Sequence, residues 1–186
     1  MVQKRARVPV IGVILPGAEA AARASTKKRI GIIGTLGTIS SNAYTNALRQ
    51  IDPSIQAFGQ ACPLFVPLAE EGWLEHKATE LIAKEYLFPL TLEKIDTLVL
   101  GCTHYPLLKT VIGNVLHNAV QLIDSGEATA VAVKDVLTKE GLQNDKAMKP
   151  NVQFFVSDVP HKFSEVGERF LGQKLGKVNR VSGFAA

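Results

Sequence analysis

Residues 97–108 read Thr97-Leu98-Val99-Leu100-Gly101-Cys102-Thr103-His104-Tyr105-Pro106-Leu107-Leu108. The first four form an apolar, β-branched run, too short for a helix and suited to a strand covered on both faces. Gly101 opens a polar corner, and a helix is predicted from residue 107 to about 116. A strand that ends in a polar corner and turns directly into a helix is the repeating unit of a parallel α/β sheet. In such sheets ligands collect at the carboxyl ends of the strands.

The same event recurs in both directions from this stretch. Residues 29–33 read as a buried strand running into Gly34-Thr35-Leu36-Gly37-Thr38. Ser40 or Ser41 is suited to cap a helix through residues 47–50, and Asp52-Pro53 to end it. Residues 55–62 form a strand closed by Pro63, and residues 64–71 an apolar link interrupted by proline. Apolar positions at helical spacing predict a helix over 73–88. Downstream come a strand at 120–123, the corner Asp124-Ser125-Gly126 and a helix at 127–137. A polar loop (142–149), a strand (153–156) and a helix (160–171) with Pro160 in its first turn follow. The Gly-, Lys- and Arg-rich tail at 173–186 is predicted to fray. At the other end, Lys4, Arg5 and Arg7 precede an apolar stretch in a layout like a secretory signal, but Pro9, Gly12, Pro16 and Gly17 interrupt it. A buried strand at 10–15, a Pro-Gly turn and a short Ala-rich helix at 18–24 fit better.

Composition narrows the function classes. With 186 residues, 46% of them hydrophobic, 20% charged and a net charge of +4, the chain has the profile of one globular domain or two small ones. Its apolar runs stay short of the ~20 residues a membrane helix needs. The basic residues are scattered, with one run at Lys27-Lys28-Arg29, so a nucleic-acid partner is not expected. Two cysteines make no disulfide framework, and free thiols suit a reducing cytoplasm. No His or Cys pair has zinc-ligand spacing, and no metal site is expected.

Chemistry concentrates where strands meet helices, which places Thr35, Cys102, Thr103, His104 and Ser125 at the functional edge. Cys102 between a strand and a helix start is expected to have its thiol pKa lowered from ~8.5 toward neutral. His104 is close enough in sequence to orient it or share its proton. Thr103 and the local N–H groups could hold a carboxylate. A buried structural cysteine is the alternative reading of position 102, against which the polar Thr-His-Tyr cluster weighs. Cys62, before Pro63, reads as a packed strand-end residue. His76, His117 and His161 read as surface residues, and Glu70-Glu71 as an ordinary pair at a helix start. Gly34–Thr38 matches neither a dinucleotide fingerprint nor a Walker A loop. It suits a carboxylate cradle or a plain turn.

The run from Leu100 to Leu108 resembles the second catalytic-cysteine motif of glutamate racemases. Gly34-Thr35-Leu36-Gly37-Thr38 is similar to that family's Gly-Thr turn. Cys62-Pro63-Leu64-Phe65-Val66-Pro67-Leu68 with Glu70-Glu71-Gly72 is similar to its strand-to-carboxylate segment. Leu122–Gly126 and Phe155–Asp158 are similar to later stretches, and Val10–Pro16 to the crossover before the second domain. The resemblance runs from Val8 to Leu171. It implies an α/β, Asp/Glu racemase-like fold of parallel-sheet sandwich domains. It also implies interconversion of L- and D-glutamate without a cofactor, by two cysteines on opposite faces of the substrate Cα. Carried over, Cys102 is one acid/base, His104 tunes or relays its proton and Glu70 supports His104. Thr103, His104 and Thr35 bind the substrate, Thr35 at the substrate's carboxylate. Supply of D-glutamate for peptidoglycan in a bacterial cytoplasm is the implied role.

The family's other half-site consists of an Asp-Ser-Gly strand end, a Tyr-Gly pair and a Cys-Asn-Thr motif, and none precedes Val8. Asp124-Ser125-Gly126 matches a later motif, and Cys62 does not match the partner cysteine. The resemblance thus implies a racemase lacking its N-terminal segment. Residues 25–123 would form the complete second domain, and residues 1–24 and 124–186 an incomplete first one. Such a chain is expected to be weak or inactive. The competing expectations are a non-catalytic remnant that binds a partner or a small acid, and a hydrolase with Cys102 as nucleophile and His104 as base. Uncovered apolar surface would favour self-association, so a homodimer is among the expectations.

Overall fold

The computed structural model describes residues 5–144 and 151–182. They fall into two compact units, divided between Gln143 and Asn144.

The first unit is built on four parallel strands: β1 (Arg29–Gly34), β2 (Gln56–Ala61), β3 (Thr97–Leu100) and β4 (Gln121–Asp124). Their order is β2-β1-β3-β4. Ile32 lies beside Gly59 on one neighbour and Val99 on the other, and Val99 lies beside Ile123. Helices cover both faces: α1 (Ile14–Ala24), α2 (Leu36–Ser40), α3 (Ala43–Ile51), α4 (Phe65–Glu70), α5 (Lys77–Leu92), α6 (Lys109–Val115) and α7 (Ser125–Lys139). Alternation along each strand divides the core in two. Ile30, Ile32, Val99 and Ile123 meet Ala18 and Ala21 of α1 and Tyr44 and Leu48 of α3. Ile33, Leu98 and Leu100 face Phe65, Leu87, Leu90 and Ile112. Each fully buried Leu or Ile contributes roughly 1.5–3 kcal/mol, so the central strands β1 and β3 are anchored from both sides. Asp96 fastens the entry to β1. It accepts hydrogen bonds from the Ser25 hydroxyl (2.6 Å) and the backbone N–H groups of Thr26 (2.8 Å) and Lys27 (2.6 Å).

The parallel α/β class and the four strands of this unit follow the sequence reading, and β3 has the predicted bounds. Several local expectations do not hold. Residues 10–15 are not a strand: α1 begins at Ile14 and takes in Pro16 and Gly17. Pro16 is the third residue of the helix, where the missing N–H is one that no intrahelical carbonyl would have met. Gly17 permits close packing, because a Cβ there would lie 2.8 Å from Ser125 Oγ and 3.2 Å from Tyr44 Cε1. Pro67 is likewise the third residue of α4, so the link at 64–71 contains a helix. Neither Ser40 nor Ser41 is an N-cap. Thr35 caps α2, and α3 starts after Asn42, which adopts the left-handed region at φ 53°. α5 starts at Lys77 rather than at residue 73, with His76 Nδ1 accepting from the Ala78 N–H at 3.1 Å. α7 starts at Ser125 because Asp124 Oδ1 accepts from the Gly126 N–H at 2.8 Å.

In the second unit, β5 (Phe154–Val156) and β6 (Val178–Arg180) pair in parallel, with α8 (Pro160–Leu171) between them in sequence. Gly172 ends α8 in the left-handed conformation at φ 62°, and its N–H donates to Glu168 O. The tail predicted to fray contains β6, because a crossover helix returns the chain parallel to β5. Residues 142–144 carry no regular structure, and the rest of the predicted loop at 142–149 lies outside the described residues. Among the described residues no helix is long and apolar enough to cross a membrane.

Candidate active site

Thr35 and Cys102 follow neighbouring strands at the carboxyl edge of the sheet. Ile33 pairs with Leu100, and the Gly101 N–H donates to Ile33 O at 2.8 Å, which holds the two corners in register. Gly101 is required by this approach. A Cβ there would lie 2.8 Å from Ile33 O and 3.1 Å from Tyr44 Cε2.

Beyond Gly101 the chain makes a tight turn, with the Tyr105 N–H donating to Cys102 O at 3.1 Å. A 3-10 turn over Tyr105–Leu108 then leads into α6. The turn lines up three side chains. Cys102 Sγ is 3.9 Å from His104 Nδ1, and His104 Nε2 is 3.4 Å from Glu70 Oε1 at the end of α4. Thr103 Oγ1 is 3.5 Å from the same Nδ1. A carboxylate facing Nε2 favours the tautomer with its proton there, which leaves Nδ1 free to accept the thiol proton. His104 and Glu70 are each about a quarter exposed, so the row is reached from solvent while its base is packed.

The thiol itself corrects the sequence expectation. Burial pushes the Cys102 pKa above the ordinary thiol value, and the His104 and Tyr105 backbone N–H groups pull it down by less. A tight turn and a 3-10 segment follow Cys102, so there is no long α-helix start at the sulfur. The resting group is a thiol poised as a proton donor. Cys62 is fully buried, and burial pushes its thiol up to about 12. It belongs to the core, where the Tyr105 hydroxyl donates to Cys62 O at 2.8 Å and the Tyr105 ring meets Phe65 edge-on.

Thr35 Oγ1 accepts from the Thr38 N–H at 3.3 Å and lies 3.1 Å from Thr38 Oγ1. Its hydroxyl therefore caps α2. Ser125 is buried. Its Oγ donates to Leu100 O at 3.2 Å and sits 2.8 Å from the Tyr44 hydroxyl.

The Asp/Glu/hydantoin racemase family model matches residues 1–133. The chain belongs to this family. It is accordingly an amino-acid racemase by class, an isomerase. It is 50% identical over 97% of its length to a glutamate racemase of Geobacter metallireducens, 67% of which it covers. A glutamate racemase isoform from Bacillus anthracis is 39% identical with a TM-score of 0.91, and the alignment covers 97% of this chain and 67% of that one. A Francisella tularensis glutamate racemase, solved in complex with D-glutamate, is 37% identical with a TM-score of 0.88 at the same coverage. The chain spans about two thirds of the length of these relatives.

The expected site residues of this racemase are Cys102, Thr103, His104, Glu70 and Thr35; the fold brings the first four together, and Thr35 follows the neighbouring strand as the cap of α2. Tyr44 was missed. It reads as one more residue of a helix, yet it backs the Gly101 corner, and burial raises its pKa against the Ser125 hydrogen bond that lowers it. Lys109 was missed too. It bridges Asp124 (2.9 Å) and Glu127 (2.7 Å) and ties the start of α6 to the end of β4. No signal within the sequence marks either residue, because both depend on partners distant along the chain.

Proposed function

We propose that this chain carries out proton transfer at the α-carbon of glutamate, with Cys102 as the acid/base on one face. The carrying observation is the row Cys102–His104–Glu70 at the carboxyl edge of the sheet in a member of this family. His104 Nδ1 takes the thiol proton, Glu70 holds the imidazole, and the thiolate removes the α-proton. The electron pair left on Cα is spread into the α-carboxylate, which Thr103 and the corner N–H groups, with Thr35, would stabilise by hydrogen bonding. Proton delivery to the same carbon reverses the step, so no oxidant or reductant is consumed. The raised thiol pKa means that His104 has to take the proton before Cys102 acts as the base.

Racemisation requires a second acid/base on the opposite face. Buried Cys62 is unsuited to it, and we propose that the 186-residue chain alone is weak or inactive in net conversion. Residues 25–123 carry β1 to β3 and nearly all of β4, and correspond in this reading to one racemase domain, with 1–24 and 124–186 belonging to the other. D-Glutamate formed here would serve peptidoglycan synthesis in the cytoplasm.

The test is NMR of L- and D-glutamate in D2O with the purified chain. A single base abstracts and redelivers on one face, so the α-proton of one enantiomer should exchange with retention. Cys102→Ala should abolish exchange, and His104→Gln should slow it roughly 10²-fold or more. Exchange that persists in Cys102→Ala, or no exchange from either enantiomer with the parent chain, would overturn the assignment.

A further inference from the structure

A cleft opens on the α3 face of the sheet, between edge strand β2 and the α2–α3 pair. It has a volume of about 260 Å³, and Thr38, Asn42, Thr45, Arg49, Ala57 and Gly59 contribute to its lining. It exists because of small residues. Ala57 and Gly59 lie beside Ile30 and Ile32 on β1, where larger side chains on the strand would fill the space under α3.

Much of the polar wall is uncommitted. Among the described residues the side chains of Asn42, Thr45 and Arg49 have no hydrogen-bond or ionic partner. The acidic residue nearest to Arg49 in sequence, Asp52, is engaged elsewhere, by Lys28 at 2.9 Å and by the Ser54 hydroxyl at 2.6 Å. Among the described residues Arg49 is thus a cation without a counter-charge, beside two hydroxyl residues and an amide. A guanidinium presents a planar fork of N–H donors that matches the two oxygens of a carboxylate or phosphate. The size limits the guest. Pockets for drug-sized ligands start near 300 Å³, so this cleft suits a small molecule.

We propose that this cleft is an anion site for a small carboxylate or phosphate compound, gripped by Arg49 and hydrogen-bonded by Thr45 and Asn42. Tyr44, which backs the Gly101 corner, also lines it, but anion binding there does not depend on the chemistry assigned to Cys102. The cleft has a route to the carboxyl edge. Thr38 lines the cleft, and its hydroxyl is 3.1 Å from Thr35 Oγ1. An anion that draws the Thr38 hydroxyl toward itself would free the Thr35 hydroxyl for another partner.

The experiment is amide NMR of the ¹⁵N-labelled chain titrated separately with inorganic phosphate and with succinate. The expected result is saturable shifts at Thr38, Thr45, Arg49 and Gly59, carried to Thr35, with at least one of the two probes. The probe that saturates identifies which anion the cleft prefers. Arg49→Gln, at an exposed position, should weaken binding at least tenfold with the remaining spectrum unchanged. Gly59→Val, which fills the floor by a different route, should do the same. Shifts that stay linear to tens of millimolar for both probes would overturn the proposal, as would equal affinity in the parent chain and Arg49→Gln.

Discussion

Gly101→Ala is the most direct test of how the fold places the thiol. The added methyl would sit 2.8 Å from Ile33 O, a backbone atom whose position is set by the β1–β3 ladder, and 3.1 Å from Tyr44 Cε2. Ordinary C···O contacts fall at ~3.3 Å or more, so one of the partners must retreat by ~0.5 Å. Tyr44 is held by its hydroxyl at Ser125, and Ile33 O accepts the Gly101 N–H itself, so the corner is the part that moves. Overpacking of this kind costs about 1–3 kcal/mol. The displaced corner carries Cys102 and His104 away from Glu70, which is 3.4 Å from His104 Nε2. The assay is urea denaturation with the Cys102 alkylation rate read in parallel. Gly12→Ala serves as the control, since nothing lies within 4 Å of a Cβ there. A Gly101→Ala variant as stable as Gly12→Ala, with an unchanged alkylation rate, would refute the argument that this contact positions the thiol.

Two further predictions follow from the titrating groups. Iodoacetamide should modify half-buried Cys102 well before Cys62, whose thiol is pushed up to about 12, and the Cys102 rate should still climb above pH ~8.5, the ordinary thiol value; equal labelling, or a plateau near neutrality, would contradict the burial argument. Burial raises the Asp96 pKa, but the hydrogen bonds from Ser25, Lys27 and Thr26 outweigh it and leave the carboxyl below its ordinary value. A depressed folded pKa means the stabilisation is complete above the unfolded value near ~3.9 and is lost as pH falls through the lower folded value. Asp96→Ala should therefore cost about 1 kcal/mol at pH 7 after discounting for solvent screening, with the difference from the parent chain shrinking below pH ~4 in denaturant titrations. A gap that stays constant down to pH 2 would assign the cost to packing instead.

What the sequence determined by itself was local and periodic. Apolar runs of strand length, polar corners and helix-spaced apolar residues depend on neighbours a few positions away, so the parallel class, the strands β1 to β5 and the row Cys102–Thr103–His104 were legible. The places where reading failed share a cause. Pro16-Gly17 and Pro67 have the residues of a turn, and only packing against Ser125 and Tyr44, or against the sheet, makes the helix the lower-energy choice. β6 is a polar segment that becomes a strand because β5 offers it a ladder.

Tertiary structure alone decided the electrostatics and the supports. The distance from Glu70 to His104 joins residues 34 positions apart, and the Tyr44–Ser125 bond spans 81. The direction of the Cys102 pKa was set by how much protein covers the sulfur, a property of every element packed around it. Sequence names the groups that can exchange a proton. Burial, which no local pattern encodes, decides which form they rest in.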